Sequence, residues 1–183
     1  MTPADMECHE LKDGRTAIIA VCGGNYVVFL RLDKPSNKLS LIPERHIIQF
    51  KDKPEEEKDE LTVISKGYLF NKQEKGNPYE EIFATAGKNG YVYLFSITQC
   101  NDENPEKSSH EFTHFRAHLN SITDLCFAPI ANHPEFANLL MTCSNDGSIM
   151  IYDILHKYCV ACLKPIKMPI DDVLAIDWQE PGN

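Results

Sequence analysis

The sequence predicts an all-β fold built from repeated antiparallel hairpins. Three stretches each contain an apolar run, a tight turn and a second run in which residue types alternate, and no long helical pattern competes with them. The turns carry Gly, Asn or Asp, which tolerate the positive φ of a hairpin turn, and the flanks are rich in Val, Ile, Tyr and Phe. With 183 residues, 43% of them hydrophobic, the chain can bury a core of ordinary size.

The predicted elements follow one another in a regular order. The hairpins cover residues 17–32, 81–97 and 139–154, and their turns lie at 23–25, 87–90 and 144–147. Further strands are predicted at 39–50, 61–70, 122–127 and 159–166. Between them lie the polar, Pro-bearing stretches 51–60, 71–79, 101–111 and 129–138, which suit exposed loops. The turns recur at longer intervals than the roughly 40 to 45 residues of a compact propeller blade, so these loops are interpreted as insertions.

The units together predict one incomplete β-propeller over residues 1–183. We expect blade units at about 10–50, 60–115 and 117–166, and the start of another at about 170–183. Three units do not close a ring, and an open propeller leaves two unpaired sheet edges. We therefore expect the chain to be a fragment of a longer protein; the alternative is that a partner or a second copy closes the ring.

Composition and charge favour some function classes over others. The net charge is −9 with neutral His, so the surface favours basic ligands such as a lysine-rich tail over nucleic acid, and no sequence-specific nucleic-acid partner is expected. No apolar run is long enough to span a membrane, and the first residues lack a secretory signal pattern, so we expect an intracellular protein with no membrane partner. The seven cysteines do not fit a small disulfide scaffold, which predicts reduced, mostly buried thiols.

The third unit contains the residue types of a buried hydrogen-bond relay. An Ala-His pair at 117–118 precedes its first strand, Ser144 and Asp146 lie in the turn, and Tyr152 lies in the strand that follows. This pattern resembles a WD repeat, with Ala-His where most members have Gly-His and Tyr-Asp where most have Trp-Asp. In that family a turn Asp accepts from a His, and a hydroxyl and an aromatic group extend the network and lock neighbouring strands together. The resemblance implies structural roles for His118, Ser144, Asp146 and Tyr152.

The second unit carries a weaker version of the same pattern. Asn89 and Phe95 occupy the places of the turn Asp and the aromatic residue, which predicts a degenerate relay there.

A closer resemblance covers most of the chain. Residues 20–27, 83–87, 115–154 and 172–177 are similar, in the same order, to successive blades of the embryonic ectoderm development (extra sex combs) family, the propeller subunits of the Polycomb repressive complex. The resemblance implies a nuclear, non-catalytic scaffold that binds the catalytic histone methyltransferase subunit and contacts the histone H3 tail. In that family an aromatic cage binds trimethyl-lysine, because aromatic faces attract a desolvated quaternary cation.

Two other classes of function remain open on the residues alone. One is a different WD-repeat adaptor, such as a ubiquitin-ligase substrate receptor or a chromatin-assembly subunit, with the same fold and other partners. The other is an enzyme, for which the sequence has no Gly-rich phosphate loop, no HExxH helix and no GxSxG elbow, and the run 108–110 (Ser-Ser-His) has no acidic orienter. We predict no enzymatic activity, no cofactor and no metal.

Five residues are candidate contacts on the ligand-carrying face. The alignment places Thr62 at a cage position where the family has an aromatic residue, and Tyr68 is the nearest aromatic side chain along that strand. Lys66, Arg116 and Asn120 lie near strand starts, which point to the ligand face in propellers. The acidic run 54–60 is interpreted either as a docking patch for a basic tail or as an ordinary solvated loop.

Two further motifs have the spacing of possible metal ligands. Cys159 and Cys162 have the spacing of half a zinc knuckle or of a redox pair, but positions i and i+3 of a regular strand face opposite sides and no second CxxC is present, which favours buried core thiols. His110, His114 and His118 would share one face of a helix, but the residues around them fit a strand and a turn.

Overall fold

The computed structural model describes residues 3–11, 13–41, 59–70, 79–96, 113–130, 136–164 and 173–178. Within these ranges the chain forms β-strands in three four-stranded antiparallel sheets. Residues 42–50 of one predicted strand, most of the four predicted insertions and the Ser-Ser-His run at 108–110 lie outside the described residues. In the described part of the chain, no helix is long and apolar enough to cross a membrane.

Each sheet is a meander in which the strands pair in chain order. The first contains β1 (Asp5–Glu10), β2 (Thr16–Gly23), β3 (Tyr26–Asp33) and β4 (Lys38–Leu41). The second contains β5 (Leu61–Phe70), β6 (Tyr79–Gly87), β7 (Tyr91–Ser96) and β8 (Thr113–Arg116). The third contains β9 (Ile122–Phe127), β10 (Leu139–Ser144), β11 (Ile149–Asp153) and β12 (Tyr158–Leu163).

The first sheet begins earlier than the predicted unit at residue 10. Its first strand, β1, reads Asp-Met-Glu-Cys-His-Glu and pairs with β2 along its whole length. Its sequence lacks the apolar run that marks the other strands, because only His9 of β1 is buried. The pairing with β2, rather than burial, makes this segment a strand.

The core lies in two layers between the three sheets. One cluster joins the first and second sheets and includes Phe29 and Phe83, whose ring centroids are 5.9 Å apart. The other joins the second and third sheets and includes Val92 and Leu140. The second sheet therefore packs on both faces, and this explains why β6 is buried at every position from residue 82 to residue 87. Burial of apolar surface in both layers is the main force that holds the sheets together.

Threonines on the first strands of the sheets donate hydrogen bonds across the layers. Thr62 of β5 donates from Oγ1 to the carbonyl oxygen of Ile122 in β9, at 3.1 Å. One sheet further along, Thr123 of β9 donates to the carbonyl oxygen of Val173. The segment 173–178 thus lies beside β9 as β9 lies beside β5.

Aspartates repeat this pattern at the neighbouring position. Asp5 of β1 accepts from the backbone N of Ile64 at 2.9 Å, and Asp124 of β9 accepts from the backbone N of Ile176 at 3.0 Å. The indole Nε1 of Trp178 also donates to the carbonyl oxygen of Cys126. The aspartate bond thus links β1 to β5, the threonine bond links β5 to β9, and both link β9 to residues 173–178.

Candidate functional site

The most elaborate polar cluster surrounds His118, in the turn between β8 and β9. The His118 side chain is fully buried. Its Nε2 lies 2.8 Å from Thr142 Oγ1, and its Nδ1 lies 3.3 Å from both carboxylate oxygens of Asp146 and 2.9 Å from Ser148 Oγ. The cluster joins the loop before β9 to the strand β10 and to the turn after it. It therefore holds the start of the third sheet in place.

Asp146 is the centre of this cluster. Its carboxylate accepts from the backbone N of Leu119 and from the backbone N of Ser148, both at 3.0 Å, and also from the Ser148 hydroxyl. A turn carboxylate with several donors is well satisfied even though it is largely buried. The sequence prediction placed His118 and Asp146 together, and the structure brings their side chains into contact.

The hydroxyls that meet His118 belong to Thr142 and Ser148, whereas the sequence predicts a relay role for Ser144. Thr142 and Ser144 both lie on β10, but the pairing of β9 with β10 shifts register between Cys143 and Ser144. Ser144 Oγ consequently faces the turn, where it accepts from the backbone N of Asp146 at 3.0 Å. A Thr two residues before the predicted Ser was the available signal, since alternate strand residues share a face.

Tyr152 is hydrogen-bonded to the backbone beside the cluster. Its hydroxyl donates to the carbonyl oxygen of Ala117 at 2.8 Å, and its ring packs 4.9 Å from that of Phe115. Burial raises the pKa of Tyr152 to about 12, so the hydroxyl remains a donor at neutral pH. Tyr152 thus joins the third sheet to the backbone just before His118.

The charges in this cluster follow from burial and hydrogen bonding. Burial lowers the pKa of His118 below its ordinary value and outweighs the opposing attraction of Asp146. Burial acts to raise the pKa of Asp146, but the hydrogen bonds from Ser148 and Leu119 and the neighbouring His118 outweigh it, so that pKa is lowered. At neutral pH the pair is therefore a neutral imidazole beside a carboxylate. Thr142 then donates to Nε2, and the Nδ1 hydrogen faces Asp146 and Ser148.

The cluster contains the residue types of a Ser-His-Asp triad but not its geometry. In a triad the nucleophile and the carboxylate occupy opposite ring nitrogens, whereas Ser148 and Asp146 both meet Nδ1 of His118. Thr142, on the other nitrogen, is fully buried, and Ser148 is 1% exposed. No substrate can reach either hydroxyl, so this arrangement holds strands together and does not perform acyl transfer.

The second sheet has a carboxylate network that the sequence interpretation missed. Asp59, just before β5, is 1% exposed, accepts from the backbone N of Asn89 at 2.9 Å and accepts from the Tyr93 hydroxyl at 3.0 Å. Asp59 belongs to the acidic run for which the sequence predicts either a docking patch or a solvated loop, and its burial fits neither; residues 54–58 of that run lie outside the described residues. Burial raises the pKa of Asp59 despite these donors.

Asn89 and Phe95 have other roles than the relay places assigned to them. Asn89 contributes its backbone N to Asp59, and Phe95 packs edge-on against Phe29 of the first sheet, with centroids 6.2 Å apart. The second sheet therefore links its loop and turn through a buried Asp-Tyr pair instead of the His-Asp pair of the third. The signal in the sequence was an Asp two residues before β5, together with a Tyr in β7 of the same sheet.

Three of the five candidate contacts lie at one end of the sheets. We call this the turn end, because the β2–β3, β6–β7 and β10–β11 turns all lie there. Thr62 is beside the β6–β7 turn, and Arg116 pairs with Tyr91 at the start of β7. Asn120 is in the exposed loop before β9. These three residues belong to one region of the surface.

The turn-end candidates already have partners within the chain. The Thr62 hydroxyl is used between the sheets, as described above. The Arg116 Nε donates to the carbonyl oxygen of His118 at 3.2 Å, and its guanidinium lies 6.0 Å from the Tyr91 ring centroid. Asn120 Oδ1 accepts from the backbone N of Ser121. Arg116 and Asn120 are exposed, so they can meet a ligand without losing these contacts.

The other two candidates lie further along β5, away from the turn end. Lys66 pairs with Phe83 and donates from Nζ to the carbonyl oxygen of Cys8 at 3.3 Å. Tyr68 pairs with Glu81, and its ring lies edge-on to that of Tyr79, with centroids 6.4 Å apart. Burial, with a smaller contribution from Glu81, raises the pKa of Tyr68. The five candidates therefore do not form a single site.

The cysteines differ from the prediction of mostly buried thiols. Cys22 and Cys143 are buried and Cys126 is half-buried, but Cys8, Cys159 and Cys162 are exposed. Cys159 and Cys162 had been interpreted as core thiols. They are exposed because β12 is the edge strand of its sheet and five of its six residues are exposed.

The histidine motif does not assemble a site in the described part of the chain. His110 lies outside the described residues, whereas His114 stacks on Tyr93, with ring centroids 6.1 Å apart, and His118 is held in the relay. Across the described residues, no three His, Cys, Asp or Glu side chains lie close enough to hold a metal ion together.

Comparison with known proteins finds solved structures with a similar fold. No protein-family model matches the chain, and no curated protein sequence matches it. Solved structures of the polycomb repressive complex 2 do match. A chain of apo ctPRC2 in an autoinhibited state is 17% identical, with a TM-score of 0.61 over 92% of this chain and 32% of that chain. A chain of the Chaetomium thermophilum complex is 17% identical, with a TM-score of 0.59 over 92% of this chain and 31% of that one.

The fold is that of WD-repeat propeller blades. The all-β, partial-propeller prediction is confirmed, and the predicted resemblance to the Polycomb propeller is confirmed at the level of the fold. The chain spans about a third of the length of the chains that it matches. In this fold the His118 relay joins the loop before a blade to the hairpin at its centre.

Proposed function

We propose that the chain belongs to a non-catalytic scaffold subunit of a Polycomb-type histone methyltransferase complex in the nucleus. The observation that carries the proposal is the structural match to polycomb repressive complex 2 chains over 92% of this chain. The sequence supports it independently, since its segments resemble the blades of that family in the same order. Because the chain covers about a third of the matched chains, the proposal concerns the whole protein to which these blades contribute.

The described side chains support a scaffold role more than a catalytic one. The cluster with the composition of a catalytic triad is buried and links strands. The Tyr93 hydroxyl, another polar group of the core, donates its hydrogen bond to Asp59. Polar groups that are satisfied and inaccessible stabilise a fold and do not turn over substrate.

We further propose that the turn end meets a basic histone tail. One matched structure is that of ctPRC2 in complex with H3K27me3 and H3K27M, at 16% identity and a TM-score of 0.53 over 83% of this chain and 27% of that chain. The net charge of −9 favours association with a lysine-rich peptide. At the turn end, exposed Glu60 pairs with Lys88 at 2.7 Å, beside Thr62 and near exposed Asn120.

The scaffold proposal is tested by affinity purification. The tagged full-length protein is purified from nuclear extract, and its partners are identified by mass spectrometry. We expect a SET-type methyltransferase to co-purify with the wild-type protein, and to be recovered in smaller amount with an Asp146→Ala variant, whose third blade is destabilised. Recovery of ubiquitin-ligase or chromatin-assembly subunits without a methyltransferase would reject the Polycomb proposal and support a different WD-repeat adaptor.

The tail-binding proposal is tested separately with histone H3 peptides. Affinities for trimethylated and unmodified peptides are measured by fluorescence anisotropy for the wild-type chain, Glu60→Gln and Asn120→Ala. The control is Glu10→Gln, because Glu10 is also an exposed carboxylate paired with a lysine but lies at the opposite end of the first sheet. We expect weaker binding in the two turn-end variants only. Equal affinities in all four proteins would reject the turn end, and equal affinities for both peptides would reject methyl-lysine recognition while leaving the scaffold proposal intact.

A further inference from the structure

Two exposed cysteines lie on β12, the edge strand of the third sheet. Cys159 and Cys162 are three residues apart, a spacing that puts side chains on opposite faces of a regular strand. The pairing of β11 with β12 is not regular, however. Tyr152 pairs with Cys159, and the next partner, Ile151, pairs with Ala161, so Val160 is an extra residue in β12. This is a β-bulge.

The bulge brings both thiols to the same face of the sheet. Cys159 is opposite Tyr152, and Cys162 is opposite Met150. Directly opposed residues of an antiparallel pair share a face, and so do Tyr152 and Met150, which are two residues apart in β11. The rule that positions i and i+3 face opposite sides of a strand therefore does not apply to this pair of cysteines.

A third sulfur lies on that face. The Cys159 Sγ is 3.9 Å from the Sδ of Met150. Met150 is half-buried, whereas the two thiols are exposed, so the cluster opens to solvent on the side of the cysteines. Cys22 and Cys143, by contrast, are buried, and their thiols are not open to solvent.

The spacing of the two cysteines suits an ion between them better than a direct bond. Their partners on β11 are two residues apart, which corresponds to about 7 Å along a strand that rises about 3.4 Å per residue. A disulfide needs Cβ atoms about 3.5–4.5 Å apart, so bonding the two sulfurs directly requires the strand to move. A metal ion bound to both sulfurs spans a wider gap without that movement.

We propose that Cys159, Cys162 and Met150 form a binding site for Cu(I). Two thiolates and a thioether are soft ligands, which this ion prefers, and three sulfurs meet its need for a low coordination number. Zn²⁺ requires four ligands in a structural site, and among the described residues no third His, Cys, Asp or Glu side chain joins the two cysteines. Binding releases the two thiol protons to solvent, and no oxidant or reductant is consumed.

The proposal is tested by competition for Cu(I) under anaerobic conditions. The reduced full chain is titrated into the coloured complex of Cu(I) with bathocuproine disulfonate, and the loss of colour measures transfer of the ion. We expect the wild-type chain to take up one equivalent, and Cys159→Ser or Cys162→Ser to abolish that uptake. Met150→Leu keeps both thiols and removes the third ligand, so it is expected to weaken binding by at least the roughly 10- to 100-fold that the loss of a group behind a ligand costs.

Cys8→Ser is the matched control, because Cys8 is an exposed cysteine on a different sheet. Cys100→Ser tests a further thiol in the same way. Both variants are expected to bind as the wild type does. Uptake that survives in Cys159→Ser and in Cys162→Ser, or that falls equally in Cys8→Ser, overturns the proposal. Circular dichroism of each variant establishes that the sheets are intact, so lost uptake is not lost folding.

Discussion

At the scale of single residues, His118 shows how this chain uses buried polar groups. Both ring nitrogens have partners, which come from two segments: Thr142 lies in β10, and Asp146 and Ser148 lie in the turn that follows. A buried polar group that has its hydrogen-bond partners costs little stability. The loss of one partner, however, leaves the remaining polar groups desolvated and unpaired. The stability of the third blade therefore depends on single side chains.

Asp146→Ala is expected to lower the free energy of unfolding by about 1–3 kcal/mol. The substitution removes the acceptor for the backbone N of Leu119 and leaves His118 Nδ1 with Ser148 alone. Urea denaturation followed by circular dichroism measures the change. Asn120→Ala, two residues from His118 and exposed, is the control and should have little effect; equal stability of Asp146→Ala and wild type would contradict the role of the relay.

The pH dependence of stability provides a second test of His118. Its pKa is lowered in the folded chain, so the unfolded chain binds the proton more readily and stability falls as the pH drops below the ordinary value of 6.5. The slope contributed by one such group is at most about 1.4 kcal/mol per pH unit. Denaturation at pH 7.5 and at pH 5.5 should show this loss, and His118→Gln should reduce it. An unchanged slope in His118→Gln would place the proton uptake elsewhere.

The pKa of Asp59 is raised, whereas that of His118 is lowered, so the expected dependence of stability on pH is also opposite. Because burial raises its pKa, the ionised carboxylate is costly at neutral pH, and its contribution to stability is lost as the pH rises through the folded pKa. Asp59→Asn keeps an oxygen that accepts from the backbone N of Asn89 and presents an NH2 donor to the Tyr93 hydroxyl, whose oxygen can accept. It should be at least as stable as wild type at pH 7. Asp59→Ala removes that acceptor and should cost about 1–3 kcal/mol. Similar losses in both variants would show that the charge itself is required.

At the scale of elements, the three central hairpins followed closely from the sequence. The strands β5 and β9 begin and end where predicted, at Leu61–Phe70 and Ile122–Phe127, because alternation and turn residues are local signals. β1 escaped prediction because it is polar and is recruited by pairing with β2. The Val160 bulge was equally hidden, since it depends on the register between two strands.

The β6–β7 turn depends on Gly90 for two separate reasons. Its φ is +78°, and an added Cβ would lie 2.3 Å from the carbonyl oxygen of His118. Gly90→Ala should therefore lower the free energy of unfolding by more than backbone strain alone would, which is about 1–3 kcal/mol. Gly14→Ala is the matched control, because Gly14 has φ +64° and open space around it. Equal losses in thermal or urea denaturation would show that the approach of the two backbones is unimportant.

At the scale of the whole molecule, the packing of one sheet against the next determines which positions have no room for a larger side chain. Gly67 of β5 faces the third sheet, and a Cβ there would lie 2.0 Å from Cγ of Phe127. Gly67→Ala should lower the free energy of unfolding by about 1–3 kcal/mol through overpacking between the sheets.

The expectation for Gly67 is tested with a double variant that also changes Phe127, the residue that Gly67 faces. Phe127→Leu makes room for the added methyl group, so the double variant Gly67→Ala/Phe127→Leu should be more stable than the sum of the two single losses implies. Strict additivity in urea denaturation would mean that the two sheets are not in contact at this point.

The sequence by itself determined the hairpins, their order and the all-β class, because these rest on local alternation and turn residues. The contact of His118 with Asp146 followed from the resemblance of the third unit to a WD repeat. Only the tertiary structure decided that Thr142 meets the histidine, that Asp59 is buried and that Cys159 and Cys162 share a face. Those facts depend on strand register and on the packing of one sheet against the next. Neither is encoded by neighbours in sequence, since both are set by which distant surfaces are buried together.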